Sequence, residues 1–149
     1  MTKTKKVKKL FFIQDGGTYS NEILLTVGTD TEDIIRYLKS HNLNFSEDFA
    51  RKLRASPEMP NAAGRTVFDG GRSILWLPDW GQDWEHYETL LHECWHLVHR
   101  ALVVNKCMDM EDEAQAYQLE YWFHNLRERL DKHYATKRGL RKTKRKNAR

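Results

Sequence analysis

The chain has 149 residues, of which 40% are hydrophobic and 31% are charged, and it contains five Trp and two Cys. A chain of this length is expected to fold as one domain, and its hydrophobic content excludes an intrinsically disordered protein. No apolar run approaches the roughly 18 residues of a transmembrane helix, and two cysteines are too few for a disulfide framework, which favours a reducing cytoplasm.

The charged residues are unevenly distributed, although the formal net charge is only +4. Residues 1–9 carry five Lys and residues 137–149 carry eight Lys or Arg, with no acid in either segment. Residues 10–136 keep the other 12 basic residues (25 − 5 − 8) and all 21 acidic ones, so the body carries −9. We therefore predict a basic N-terminal tail, one folded domain and a basic, disordered C-terminal tail. The alternatives for such tails are plain solubility or flexible ends and weak, non-specific contact with polyanions. The acidic body argues against a fold dedicated to nucleic-acid binding.

The first structured segment is predicted to be a β-hairpin. Residues 7–15 and 21–28 are rich in β-forming side chains, and the intervening "GGTYS" has the composition of a turn. The apolar run in this region, from Leu10 to Ile13, is too short for the core of a signal peptide.

Two helices are expected to follow the hairpin. Residues 29–43 open with Thr and Asp as candidate caps, and they then place Ile34, Ile35 and Leu38 at helical spacing. Residues 44–56 predict a second, shorter helix with Ser46 as its N-cap.

Two short strands are then predicted around a Gly-Gly pair within residues 64–80, and Pro78 ends the second of them, Ser73 to Leu77. A helix follows from about Asp83 to Val104. Its buried side is predicted to consist of Leu90, Leu91, Leu97, Val98 and Leu102.

After a short loop, a second long helix is predicted from about Glu111 into the region of Lys132. Its apolar positions are Ala114, Leu119, Trp122, Phe123, Leu126 and Leu130. The predicted order is a small N-terminal sheet with helices and then two long helices. This order is typical of an α+β domain.

The first long helix carries the sequence His92-Glu93-Cys94-Trp95-His96. Residues four apart lie on one face of a helix, so the two histidines can direct their imidazoles at one metal ion. Zinc in hydrolases takes three protein ligands and leaves a fourth position for water, which Glu93 is placed to reach as a general base. Cys94 is expected to pack in the interior. The plainer alternative is an amphipathic helix with two half-buried histidines.

The third ligand is less clearly marked by the sequence. His99 lies seven residues beyond His92, about 10.5 Å along the axis, which is too far for one ion to bind both while His96 also binds. We therefore expect His99 to support the site or to be structural. Cys107 lies in a loop with acidic neighbours, which stabilise a thiolate poorly.

Acidic residues open the second long helix, where carboxylates ordinarily complement the helix dipole. One of them is distinguished by its neighbours, since Ala114 and Ala116 closely follow Glu113 and small residues let two helices approach closely. Glu113 is therefore the preferred third ligand among the acids Asp109, Glu111, Asp112 and Glu113.

The motif together with the later "DEAQAY" resembles the gluzincin branch of the zincins, in which a Glu on the next helix completes the zinc site. It is most similar to small phage-encoded zinc metallopeptidases, and the run "WEHYETLLHE" before the motif shares this resemblance. The resemblance covers roughly Trp76 to Trp122 and implies a minimal zincin-like domain. It implies one Zn²⁺ held by His92, His96 and Glu113, with Glu93 as the catalytic acid and base.

Peptide hydrolysis also needs a donor to the oxyanion. Tyr117, one turn beyond Glu113, is the first candidate for this donor, and Tyr121 is the next. The alternative is that Tyr117 only packs between the helices. His124 lies three turns on, about 16 Å from Glu113, and is too distant.

By analogy with zincins, the strand Ser73–Leu77 is expected either to pair with an extended peptide substrate or to be simply core, with equal weight. Core packing is the expected role of most of the five Trp side chains. Trp80 and Trp84, which have polar neighbours, are the best candidates to line a cleft or a partner surface.

The leading hypothesis is therefore a zinc metallopeptidase acting on a peptide or protein in the cytoplasm, the host cytoplasm if the protein is phage-encoded. The alternative is a zincin-like metal-binding protein that acts through protein–protein interaction without hydrolysis. Glu93 favours the first, because only hydrolysis requires it.

Overall fold

The computed structural model describes residues 9–14, 22–43, 45–55, 62–69, 72–104 and 112–146. The strands are β1 (Leu10–Gln14), β2 (Glu22–Val27), β3 (Arg65–Asp69) and β4 (Arg72–Leu77), and the helices are α1 (Thr31–Ser40), α2 (Glu47–Arg54), α3 (Trp84–Val104) and α4 (Asp112–Lys146). These elements confirm the predicted α+β class. Among the described residues, no helix is both long enough and apolar enough to cross a membrane.

The four described strands form one mixed sheet in the order β1-β2-β4-β3. The β1–β2 pair is antiparallel, as predicted for a hairpin. The two strands predicted around the Gly-Gly pair, β3 and β4, are also antiparallel, whereas β2 and β4 run parallel. The parallel pair lies at the centre of the sheet, and β1 and β3 lie at its edges.

The sheet is the middle of three layers, because side chains along a strand alternate between its two faces. One core cluster joins Leu24 and Ile74 to residues of α1 and α2. The other joins Leu25 and Leu75 to residues of α3 and α4. The helix pair that carries the motif thus covers one face of the sheet, and the two shorter helices cover the other.

Both predicted N-caps are confirmed. Asp30 caps α1 and forms a reciprocal capping box with Asp33. The Ser46 hydroxyl accepts a hydrogen bond from the Phe49 main-chain N–H (3.0 Å) at the start of α2. It also donates to Asp69 Oδ1 (2.9 Å), which ties α2 to the end of β3.

The two long helices form an antiparallel hairpin that is anchored near the start of α3. Asp131 of α4 accepts hydrogen bonds from Trp80 Nε1 (3.1 Å) and from the Tyr87 hydroxyl (3.3 Å). Leu90, Leu97, Val98 and Leu102 are buried as predicted, but the prediction was wrong for Leu91, which is 43% exposed. Leu91 follows Leu90 by about 100° around the helix, which carries it off the packed face.

Helix α4 is longer than predicted, since its backbone stays helical to Lys146 rather than ending near Lys132. Its last ten residues, 137–146, belong to the segment for which the sequence predicts a basic tail. Lys, Arg and Leu are strong helix formers, and continuing an existing helix avoids the unfavourable nucleation step. The side chains of residues 136–146 lie outside the part of the chain that is described.

A histidine bridges two carboxylates where the chain enters α3. His86 Nε2 lies 3.1 Å from Asp79 Oδ1, and its Nδ1 contacts Asp83 Oδ1. A neutral imidazole has one N–H, whereas carboxylates only accept, so this arrangement is satisfied fully by the imidazolium form. Partial burial opposes the charge, but the bonds and charges of Asp83 and Asp79 outweigh it and raise the pKa of His86.

Because the folded pKa of His86 lies above its ordinary value of 6.5, the protonated ring stabilises the fold most strongly below about pH 6.5. This contribution is lost as the pH rises through the folded pKa. We therefore expect His86→Asn to lower the thermal midpoint more at pH ~5.5 than at pH ~8.5. Thermal unfolding across this range tests the effect, with His99→Asn as the control. A difference between native protein and variant that does not change with pH would contradict it.

Candidate metal centre

Helix α3 brings the two histidines of the motif together on its exposed side. His92 Nε2 and His96 Nε2 lie 3.1 Å apart, with ring centroids separated by 4.8 Å. Two nitrogens bonded at 2.0–2.1 Å to one tetrahedral zinc would lie about 3.3 Å apart. The pair therefore fits two positions of a zinc coordination sphere with only a small adjustment. Without metal, the same distance allows one Nε2–H to donate to the other nitrogen.

Glu93 lies beside this pair but faces the sheet, and it is only 6% exposed. The Thr66 hydroxyl of β3 donates to Glu93 Oε2 at 2.6 Å and lies 3.3 Å from the Glu93 main-chain oxygen. A buried carboxylate without a hydrogen bond would be strongly destabilising, so Thr66 gives this carboxylate a defined position. The carboxylate of Glu93, the candidate general base, is thus held between α3 and the edge strand β3.

Gly64, which directly precedes β3, allows β3 and α3 to pack this closely. A Cβ added at Gly64 would lie 2.7 Å from Thr89 Cγ2, 3.1 Å from Glu93 Cγ and 3.2 Å from Leu77 Cδ2. Any side chain there would push the start of β3 away from α3. Sequence reasoning missed both Gly64 and Thr66, because 27 residues separate Thr66 from Glu93 and no local pattern links them.

The structure does not bring the predicted third ligand to the histidine pair. Glu113 is exposed on α4, and among the described residues no group of three His, Cys, Asp or Glu side chains is placed to hold a metal ion. Cys107, Asp109 and Glu111 lie outside those residues, as does the side chain of Asp112. The assignment of Glu113 to the metal therefore stays a prediction.

The orientation of α3 explains this separation. Tyr87 reaches α4 through its hydrogen bond to Asp131, so the Tyr87 side of α3 faces α4. His96 follows Tyr87 by nine residues (96 − 87), about 2.5 turns, and so leaves the helix on the opposite side.

Tyr117 is 67% exposed and Tyr121 is 43% exposed, and His124 is also exposed. Nothing in the described contacts joins any of the three to Glu93 or to the histidine pair. The oxyanion role of Tyr117 accordingly stays a prediction.

Of the two roles given equal weight for Ser73–Leu77, pairing with an extended peptide is excluded by the strand order. This segment lies within β4, which pairs with β2 on one side and β3 on the other, so its hydrogen-bonding edges are already used. The core interpretation of these residues is correct, since all five are buried. The edge strand beside Glu93 is β3.

The two tryptophans singled out by the sequence differ in burial. Trp80 is 7% exposed and belongs to the core that α3 and α4 share, so its assignment to a cleft was wrong. Its indole N–H finds a partner in Asp131, which removes the penalty of burying it. Trp84 is 72% exposed.

Cys94 is completely buried in the same core, as predicted. Burial, followed by the nearby charge of Glu93, raises the pKa of its thiol well above the ordinary range. A thiol held neutral and buried is a poor metal ligand and a poor nucleophile.

An apolar cavity lies on the other face of the sheet, away from the histidine pair. Its walls come from β2, β4 and the α1–α2 region, and include Leu24, Leu38, Leu43, Phe45, Phe49 and Ile74. It therefore contributes nothing to the candidate metal centre.

No protein-family model, no curated protein and no solved structure matches this chain.

Proposed function

We propose that the protein is a zinc-dependent metallopeptidase, with His92 and His96 as metal ligands and Glu93 as the general base. Glu113 is the proposed third ligand. The observation that carries the proposal is the 3.1 Å separation of the two Nε2 atoms on the exposed side of α3, with a positioned carboxylate next to them in sequence. The proposed setting is the cytoplasm, that of an infected host if the protein is phage-encoded.

When bound, a zinc ion would supply a Lewis acid for the attacked carbonyl and make a water molecule more acidic. Glu93 would accept a proton from that water and donate it to the leaving amine. The hydrogen bond from Thr66 engages Oε2 of Glu93, so we assign the proton transfer to Oε1. Tyr117 is the proposed donor to the oxyanion.

The substrate proposed is a peptide or protein segment in extended conformation. Strand β3 is the sheet edge nearest Glu93, and an extended peptide can add to an exposed sheet edge through main-chain hydrogen bonds. Such a peptide, held along β3, would pass the face of α3 that carries the histidine pair. This replaces β4 with β3 as the strand expected to hold substrate.

The proposal is tested with Glu93→Gln. Gln keeps the shape of the side chain and an oxygen that can accept from Thr66, but it cannot serve as a base. We expect the variant to bind zinc as the native chain does, to unfold at a similar temperature, and to lose cleavage of a peptide library by about 10²–10⁴-fold. Zinc content, thermal unfolding and mass spectrometry of the library measure the three properties. Equal cleavage by both proteins would refute the assignment.

A metal-binding protein without hydrolytic activity is the second candidate, and one observation favours it. Glu93 is nearly buried and its carboxylate is hydrogen-bonded to Thr66, which is also how a purely structural carboxylate is accommodated. Under this alternative, the native chain binds zinc and cleaves nothing in the library. A chain that binds no zinc contradicts both candidates.

A further inference from the structure

Two side chains of α3 reach strand β3, and His96 lies between them along the helix. Glu93 accepts a hydrogen bond from Thr66 (2.6 Å). Arg100 lies over the ring of Phe68, with its guanidinium carbon 5.6 Å from the ring centroid. His96 follows Glu93 and precedes Arg100, and at about 100° per residue it lies within about 60° of both around the helix axis. The candidate general base, one imidazole of the pair and a cation therefore follow one another on one side of α3.

The guanidinium of Arg100 has no anionic partner within the part of the chain that is described. The side chain is exposed, and no ion pair or hydrogen bond of the described residues involves it. The nearest acid of β3 is already engaged, because Asp69 accepts from the Ser46 main-chain N–H and hydroxyl, both at 2.9 Å. Side chains alternate along a strand, so Asp69 also points to the opposite face of the sheet from Phe68. Arg100 is thus a cation held over a ring without a counter-ion.

A guanidinium recognises carboxylates in preference to neutral groups. Its planar fork of N–H donors matches the two oxygens of a carboxylate, and stacking on an aromatic ring holds that plane in place. In a peptide, carboxylates occur at the free C-terminus and in Asp and Glu side chains. Residues 10–136 of this chain carry −9, so a strongly acidic peptide is repelled and a single carboxylate is the better match.

The spacing along α3 sets where this carboxylate lies relative to the bond that is cleaved. The four residues from His96 to Arg100 rise about 6 Å along the helix. An extended peptide advances about 3.3 Å per residue. A carboxylate that meets Arg100 therefore belongs about one or two residues away from the bond that lies beside His96.

We propose that Arg100 is a specificity residue that binds one carboxylate of the peptide substrate, about one or two residues from the cleaved bond. This inference rests on the proposed peptidase function. The carboxylate is that of a free C-terminus or that of an Asp or Glu side chain, since both present the same two oxygens to the guanidinium.

Cleavage of matched peptides tests the proposal. Each peptide that the native chain cleaves is compared with its C-terminal carboxamide, and with a version in which Asp or Glu is replaced by Asn or Gln. The test variant is Arg100→Gln. The control is Arg129→Gln, because Arg129 is also exposed and lies over Phe12 of the other edge strand, 4.2 Å from the ring centroid. Each variant loses one positive charge and one cation–π contact, and both should unfold at a similar temperature.

We expect Arg100→Gln to raise KM about tenfold for peptides with the carboxylate and to leave kcat within about twofold, because it weakens binding and not chemistry. If the carboxamide abolishes this difference, the carboxylate is the C-terminus. If Asn or Gln abolishes it, the carboxylate is a side chain. Arg129→Gln should match the native chain on every peptide. A fall in kcat on neutral and acidic peptides alike, or an equal loss in the control, would overturn the proposal.

A binding measurement separates this inference from the peptidase proposal. The Nε–H signal of Arg100 is followed by NMR in the Glu93→Gln chain with zinc added, and it is identified by its loss on further substitution of Arg100→Gln. The probes are N-acetyl-dialanine, N-acetyl-glutamyl amide and, as the neutral compound, N-acetyl-dialanine carboxamide. We expect a carboxylate probe to shift the Arg100 signal, the neutral probe to leave it in place, and no probe to shift the signal of Arg129.

The two measurements have distinguishable failures. A shifted Arg100 signal in a protein whose native chain cleaves no peptide supports the carboxylate site and contradicts the peptidase. Cleavage by the native chain, together with an Arg100 signal that no carboxylate probe shifts, supports the peptidase and overturns the role of Arg100.

Discussion

Replacement of His96 by Ala is expected to abolish stoichiometric zinc binding. The two Nε2 atoms lie 3.1 Å apart, so both can bind one ion, and removing either leaves a monodentate imidazole on an exposed helix face. We expect the affinity to fall by more than about 100-fold, since even changes to residues that merely orient a ligand lower affinity by about 10–100-fold. His92→Ala should behave in the same way. Competitive titration with a chromogenic chelator measures the loss.

The matched control is His99→Ala, which removes an exposed histidine three residues further along the same helix and should bind zinc like the native chain. Native affinity in His96→Ala would contradict a metal centre at this pair. Glu113→Ala, measured beside them, tests the third ligand. A loss comparable to that of His96→Ala assigns the carboxylate to the metal, and native affinity excludes it.

Replacement of Trp122 by Ala is expected to cause the largest loss in the free energy of unfolding. Among the residues whose burial is described, Trp122 is the largest fully buried side chain, and it lies in the core shared by the sheet, α3 and α4. Its Nε1 has no hydrogen-bond partner among the described residues, so the effect of Trp122→Ala reflects packing alone. We expect a loss of about 3–5 kcal/mol in the free energy of unfolding, a large part of the roughly 5–15 kcal/mol of a typical domain.

Urea denaturation of Trp122→Ala and Trp84→Ala provides the comparison. Trp84 is 72% exposed, so the same substitution there should change the free energy of unfolding by no more than about 0.5 kcal/mol. Similar losses in both variants would contradict the packing described for the α3–α4 side of the sheet.

Features that depend on local sequence were predicted well. The hairpin, the caps Asp30 and Ser46 and the two strands around the Gly-Gly pair all appear where they were expected. Each is determined by residues within a few positions of one another, through turn composition, capping hydrogen bonds or periodicity. The spacing of His92 and His96 belongs to the same class, because four residues on a helix make neighbours whatever surrounds them.

Features that depend on distant residues were not predictable in the same way. The sequence left open whether Ser73–Leu77 is core or binds a peptide, because strand order decides which strand is an edge, and β4 pairs on both sides. Leu91 is exposed because it lies off the packed side of α3. Trp80 is buried where its indole N–H donates to Asp131 of α4, 51 residues away along the chain.

By itself, therefore, the sequence determined the elements, their caps and the histidine pair, since short-range backbone geometry controls all three. Only the tertiary structure decided that Thr66 holds the Glu93 carboxylate, that β4 is paired on both sides, and that Trp80 is buried beside Asp131. These arrangements follow from how the sheet and the α3–α4 hairpin pack, and packing joins residues whose separation along the chain leaves no local pattern to read.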